Sequence, residues 1–173
     1  ESQFTGIGTD GRYIGSEKNP STPSIKRPKK SERTIVRSIL FDAPGALSYE
    51  EIIREFQLRT GAAISRNKVS SYVGSFEDCL LWGRGTYIHE SKISFPVELL
   101  HRISDWICGQ FEDRHIPILG VGGIFDFFEK DLIAANVPTQ HALYSLLRRI
   151  EDLRLELREY PWVCDSRNIG EKT

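Results

Sequence analysis

The chain has 173 residues, 39% hydrophobic and 27% charged, with a formal net charge of −1. That is enough for one domain or two small ones, and it describes a soluble globular protein with flexible parts. No apolar run is long enough to span a bilayer, and the polar, Gly-rich start carries no visible leader, so no membrane partner is expected.

The chain begins at Glu1 and holds no Met, which predicts a segment excised from a larger protein. Cys79, Cys108 and Cys164 lie far apart, without a Cys-x-x-Cys pair. A reduced compartment is the simplest expectation, hence a cytoplasmic location (nucleoid-associated if the source is bacterial). Charge is uneven: residues 1–33 carry seven Lys/Arg and four Asp/Glu, 34–95 seven of each, and 96–173 nine against thirteen. Any contact with nucleic acid must therefore come from local patches.

Residues 1–33 show no apolar period and are rich in Gly, Pro, Ser and Thr. They read as a flexible arm ending in the basic cluster Lys26, Arg27, Lys29 and Lys30. Ile35, Val36, Ile39 and Leu40 then recur at helical spacing, and Pro44-Gly45 ends that helix. Ser48 and Glu51 form a capping box that opens a second helix, with Ile52, Ile53 and Phe56 on its buried face. Gly61 breaks the chain before a third helix at about 65–75. Two short apolar strands follow around Gly83-Arg84-Gly85, with the glycines expected to supply positive φ.

Pro96 opens a second unit. Val97, Leu99, Leu100, Ile103, Trp106, Ile107 and Phe111 predict an amphipathic helix of about four turns, and 113–123 reads as a turn-rich connector. A helix over 124–135 should bury Phe125, Phe128, Leu132 and Ile133. Thr139 is expected to cap a helix over 140–152, and the alternation over 153–160 predicts a strand that returns through Pro161–Cys164. The expected fold is α+β, mainly α with short β-hairpins. Its parts are an arm (1–33), a winged-helix domain (34–92), a second winged-helix-like domain (93–168) and a tail (169–173).

Residues 34–90 resemble the HARE-type helix-turn-helix family, which includes the amino-terminal winged helix of the RNA polymerase delta subunit. The matching features are the Thr34–Leu40 opening, Leu47-Ser48-Tyr49-Glu50-Glu51-Ile52, and Gly83-Arg84-Gly85-Thr86-Tyr87 with its aromatic after the turn. The resemblance implies a bacterial-type transcription, restriction or chromatin-associated module that binds DNA or docks on proteins.

Duplex DNA is the expected partner. Ser65, Arg66, Asn67, Lys68, Ser70 and Ser71 are placed on the third helix, and Arg84 at the wing tip. Arg and Lys suit guanine, Asn suits adenine, and hydroxyls at a helix start suit phosphate. The basic arm would follow phosphates or a minor groove. Thr139, Gln140, His141, Tyr144, Arg148 and Arg149, expected to face outward from the matching helix of the second unit, are a possible secondary contact. The alternative is a protein-interaction module that docks through the acidic, aromatic-rich second domain. Phe125, Phe127 and Phe128 cannot all face one side of a helix, so at least one should be exposed. A protein partner, or the rest of a longer chain, is expected in either case.

Gly6-Ile7-Gly8-Thr9-Asp10-Gly11 has dinucleotide-loop spacing without a preceding strand, and Leu119–Gly123 lacks the Lys-Ser/Thr of a phosphate loop. His89, His101, His115 and His141 show no metal-ligand spacing. No nucleophile sits in a catalytic context. Neither enzyme activity, a cofactor, a metal nor a small-molecule substrate is expected.

Overall fold

A computed structural model of the chain describes residues 31–167. The arm with Lys26, Arg27, Lys29 and Lys30, the Gly6–Gly11 loop and the tail over 169–173 lie outside the described residues. The fold is mixed helix and sheet, with two small antiparallel sheets of three strands each.

The first unit opens with α1 (Glu32–Asp42), capped by Ser31, whose side chain accepts from Thr34 N at 3.2 Å. Val36, Ile39 and Leu40 are its buried stripe, as their spacing requires. The chain turns extended at Ala43, because the residue before a proline avoids the helical region. A two-residue strand, β1 (Leu47–Ser48), then precedes α2 (Tyr49–Thr60). The capping box forms: Ser48 Oγ accepts from Glu51 N, and Ser48 N donates to Glu51 Oε2 at 2.7 Å. Gly61 closes α2 with a φ of 71°, the left-handed conformation that glycine adopts without strain. Next come α3 (Arg66–Gly74), β2 (Cys79–Gly83) and β3 (Thr86–His89). Only Gly85 uses positive φ in the hairpin turn, at 69°; Gly83 is the last residue of β2.

The second unit differs from its sequence pattern in several places. Helix α4 (Val97–Arg114) runs to 18 residues. The expected connector is a strand, β4 (Ile118–Gly120), leading directly into α5 (Val121–Phe127). The single helix expected over 124–135 breaks at Phe128, giving α5 and α6 (Glu129–Ala134). Ile133, expected inside, is exposed, because the break rotates α6 relative to α5. Helix α7 (Gln140–Leu147) is shorter than expected, with Thr139 accepting from Ala142 N as its cap. The alternation over 153–160 yields only β5 (Leu155–Glu156), and Leu153 is 92% exposed. Strand β6 (Trp162–Asp165) returns beside both β5 and β4.

The two units share one plan. Each runs helix, strand, helix, helix, strand, strand, with α5 and α6 together taking the second helix position. Their sheets have matching orders, β1-β3-β2 and β4-β6-β5.

Two apolar clusters form the core. Val36, Ile39, Leu40, Ile52, Phe56, Val69 and Val73 fill the first unit. The second gathers Leu100, Ile103, Ile107, Ile124, Leu132, Leu143 and Leu147, and it also takes in Leu80 and Ile88 from the β2–β3 hairpin. The hairpin thus belongs to the first unit by sequence and to the second by packing. Its backbone is pinned across the junction: Thr139 Oγ1 donates to Trp82 O at 2.6 Å and Ser145 Oγ donates to Leu81 O at 2.9 Å. Arg149 donates to Glu77 O and lies 3.5 Å from Glu90.

Candidate nucleic-acid interface

Helix α3 has only two buried side chains, Val69 and Val73, which fasten one face to the first core. That leaves Ser65, Arg66, Asn67, Lys68, Ser70 and Ser71 exposed on its amino-terminal half. Arg66 and Lys68 keep 64% and 56% of their side-chain surface in solvent, and neither is covered by the second unit. Ser65 is also the cap, its hydroxyl accepting from Lys68 N at 3.3 Å. Arg84 is exposed at the hairpin turn.

Tyr49, the first residue of α2, links these groups. Its phenol ring lies under the Arg66 guanidinium at 5.0 Å. Its hydroxyl is 3.1 Å from Ser70 Oγ and 3.0 Å from the Tyr87 hydroxyl. Its backbone N–H donates to Gly85 O at 3.3 Å, and a Cβ added at Gly85 would stand 3.2 Å from its ring. Thus one side chain sets the spacing between the start of α3 and the tip of the hairpin. Sequence reading missed Tyr49 as a functional residue. The available signal was an aromatic directly after an N-cap in a helix whose next turns carry the buried apolar residues.

The face is not purely cationic. Lys68 Nζ donates to Glu32 Oε2 at 2.9 Å, and the Tyr72 hydroxyl donates to the same oxygen at 3.1 Å. Lys68 and Tyr72 together hold the Glu32 carboxyl below the usual carboxylate range, and Glu32 in turn raises Lys68. Arg66 has a looser partner, Glu50, at 3.9 Å. Such exposed pairs are weak and screened by salt, so a phosphate can replace the carboxylate. The Lys68–Glu32 pair also places the start of α1 beside α3.

The secondary contact expected on α7 requires correction in its geometry. Tyr144 does not face outward: it is 6% exposed and meets Tyr160 edge-on at 5.4 Å. Thr139 and Arg149 are occupied by the β2 and Glu77 carbonyls. Gln140 leans over Gly122, and His141 stacks on Tyr160 at 4.7 Å. Burial and then the nearby Arg84 lower the His141 pKa. Arg148 remains exposed. The reason is the apolar content of α7, five of whose eight residues are buried in the second unit's core, which also takes in Leu80 and Ile88 of the hairpin.

Elsewhere, Asp78 joins Arg37 to His89, whose Nε2 lies 3.2 Å from Asp78 Oδ2. Burial pushes the Asp78 carboxyl up, but Arg37 and His89 outweigh it and hold it below the ordinary value. Burial, and then the neighbouring Asp78, push the Cys79 thiol up to about 12. Among the described residues no cluster of His, Cys, Asp or Glu is placed to hold a metal, and no helix is long and apolar enough to cross a membrane. Comparison with protein-family models, curated proteins and solved structures yields no match to this chain.

Proposed function

We propose that residues 32–89 are a winged helix that binds duplex DNA through α3 and the β2–β3 wing, within a larger intracellular transcription or DNA-defence protein. The element order and the strand order β1-β3-β2 support the winged-helix reading, alongside the HARE-type resemblance. The observation that carries the functional reading is the exposed set Arg66, Asn67, Lys68, Ser70 and Ser71, held next to Arg84 by Tyr49. In this reading the amino-terminal half of α3 enters the major groove, where Arg66 and Asn67 meet base edges. Lys68, Ser70, Ser71 and Arg84 take phosphates, and Lys26, Arg27, Lys29 and Lys30 take further phosphates or follow a minor groove. The second unit shares the plan but uses its corresponding helix, α7, to brace the wing. Under this proposal Gln140, His141 and Arg148 flank the wing tip rather than form a second reader.

The test is fluorescence anisotropy with random duplex, using the whole chain. Wild type binds, and its affinity falls steeply as salt rises because counterions are released. The triple variant Arg66→Glu, Lys68→Glu, Arg84→Glu loses about 100-fold or more in affinity at low salt. Its unfolding midpoint falls by only a few degrees, because all three side chains are exposed and the pairs lost, with Glu32 and Glu50, are surface pairs. Equal binding by wild type and variant rejects this surface as the reader.

A further inference from the structure

Both units have a groove at the same place in their fold, between the end of the first helix, the first strand and the next helix. In the first unit it is small, about 320 Å³, and Arg59 closes it. Arg59 Nε donates to Glu55 at 2.8 Å and Nη1 donates to Asp42 at 2.7 Å, so charged pairs span the opening. In the second unit the groove is about 560 Å³ and mostly apolar, lined by Trp106, Ile116, Leu119, Ile124 and Phe127. Phe127 stacks on Trp106 at 4.7 Å yet stays 64% exposed. Ile118 and Trp162, on the adjoining strands, are each half in solvent. A groove lined by aromatic and aliphatic side chains left partly in solvent is the kind of surface that marks an interaction site.

Two further observations describe the occupant. Arg114 is the only charged residue lining the groove. Arg102, Arg154, Arg158 and Arg167 of the same unit all pair with carboxylates, whereas Arg114 has no such partner among the described residues. In addition, β4 pairs only with β6, which leaves its other edge available for strand addition.

We propose that this groove is a docking site for an extended segment of a protein partner bearing a large apolar side chain next to Asp or Glu. The apolar side chain lies on the Trp106–Phe127 pair, the carboxylate meets Arg114, and the segment's backbone lengthens the sheet at β4. This inference does not depend on DNA binding by the first unit. It uses a part of the second unit remote in sequence from α7, which braces the wing.

The experiment is selection of a phage-displayed random peptide library on the whole chain, in parallel with Phe127→Ser and Arg114→Glu. Arg114 is exposed and its variant keeps the wild-type unfolding midpoint; Phe127→Ser loses the stacking on Trp106 and melts a few degrees lower, still in one folded state at the assay temperature. Wild type selects a consensus with Phe, Trp or Leu adjoining Asp or Glu. A synthetic peptide of that consensus binds each variant about tenfold or more weakly. Arg114→Glu selects the same anchor with Lys or Arg beside it, because the reversed charge reverses the preference. Any of three results overturns the proposal: no consensus, a cationic consensus on wild type, or binding indifferent to both substitutions. Concentration-dependent dimerisation abolished by Phe127→Ser overturns it as well, since the occupant is then a second copy of the chain.

Discussion

Helices α3 and α7 hold the same position in two units of one plan, and both start from a hydroxyl cap. They differ in apolar content. Arg66–Gly74 supplies two buried residues, enough to fasten one face and leave the rest polar and open. Gln140–Leu147 supplies five, so α7 is packed on both sides, against its own core and against β2. A shared fold position therefore does not carry a shared role; the number of apolar faces decides whether the helix is open to a ligand or acts as a joint between units. The grooves make the same point in reverse, since the first unit seals with Arg59 what the second leaves open at Phe127.

The most damaging change is Leu80→Asp. Leu80 is 3% exposed and lies in the second unit's core although it belongs to β2. Placing an unpaired carboxylate there costs about 4 kcal/mol or more. Chemical denaturation of wild type is expected as one transition, and of the variant as two, because the second unit's core, which Leu80 helps fill, fails before the first unit's core does. A single unshifted transition would show that the units are held together by something other than the hairpin.

Tyr49 is the next lever. Tyr49→Leu removes the ring under Arg66 and the hydroxyl bridging Ser70 and Tyr87, and lowers duplex affinity about tenfold. Tyr49→Phe keeps the ring and recovers most of that loss. Equal anisotropy titrations for the two variants would show that the ring–guanidinium contact does not position Arg66.

Acid should act on the second unit through Asp152. Hydrogen bonds from Arg154 and Ser104 hold its carboxyl far below the ordinary carboxylate range, despite the opposing effect of burial. The pKa is depressed in the folded state, so its stabilisation is complete above the unfolded value. That stabilisation is lost progressively as pH falls below about 4 toward the folded value. Asp152→Asn should be less stable than wild type at pH 7, with the gap closing in thermal melts at acid pH. A gap independent of pH would assign the effect to packing.

The smallest expected effect is a gain. Glu32→Gln frees Lys68 from its carboxylate partner and removes a negative charge from the α3 face. Duplex affinity should rise about twofold to threefold at low salt, with the difference vanishing at high salt. Unchanged affinity would place Lys68 outside the contact.

Much of the first unit was legible because its signals are local. Apolar residues at helical spacing marked α1, a capping box marked α2, and Gly61 and Gly83-Arg84-Gly85 bounded α3 and the hairpin. Strands β1 and β4 were missed because two or three residues cannot display a period. The break at Phe128 was missed because Phe125, Phe128 and Leu132 suit one continuous helix. The exposed ring among Phe125, Phe127 and Phe128 was anticipated from helical geometry, and it is Phe127.

The chain alone determined where α1, α2, α3 and α7 begin, which apolar residues line α1 and α2, and that the third helix opens with Arg66, Asn67 and Lys68. These follow from bond geometry and hydrogen bonding within a few residues. Only the tertiary structure decided that Tyr49 joins Arg66 to the hairpin tip, that Leu80 enters the other unit's core, and that α7 faces inward. Those outcomes depend on which apolar surfaces meet across the chain, and burial is not directional, so no local pattern of residues specifies its partner.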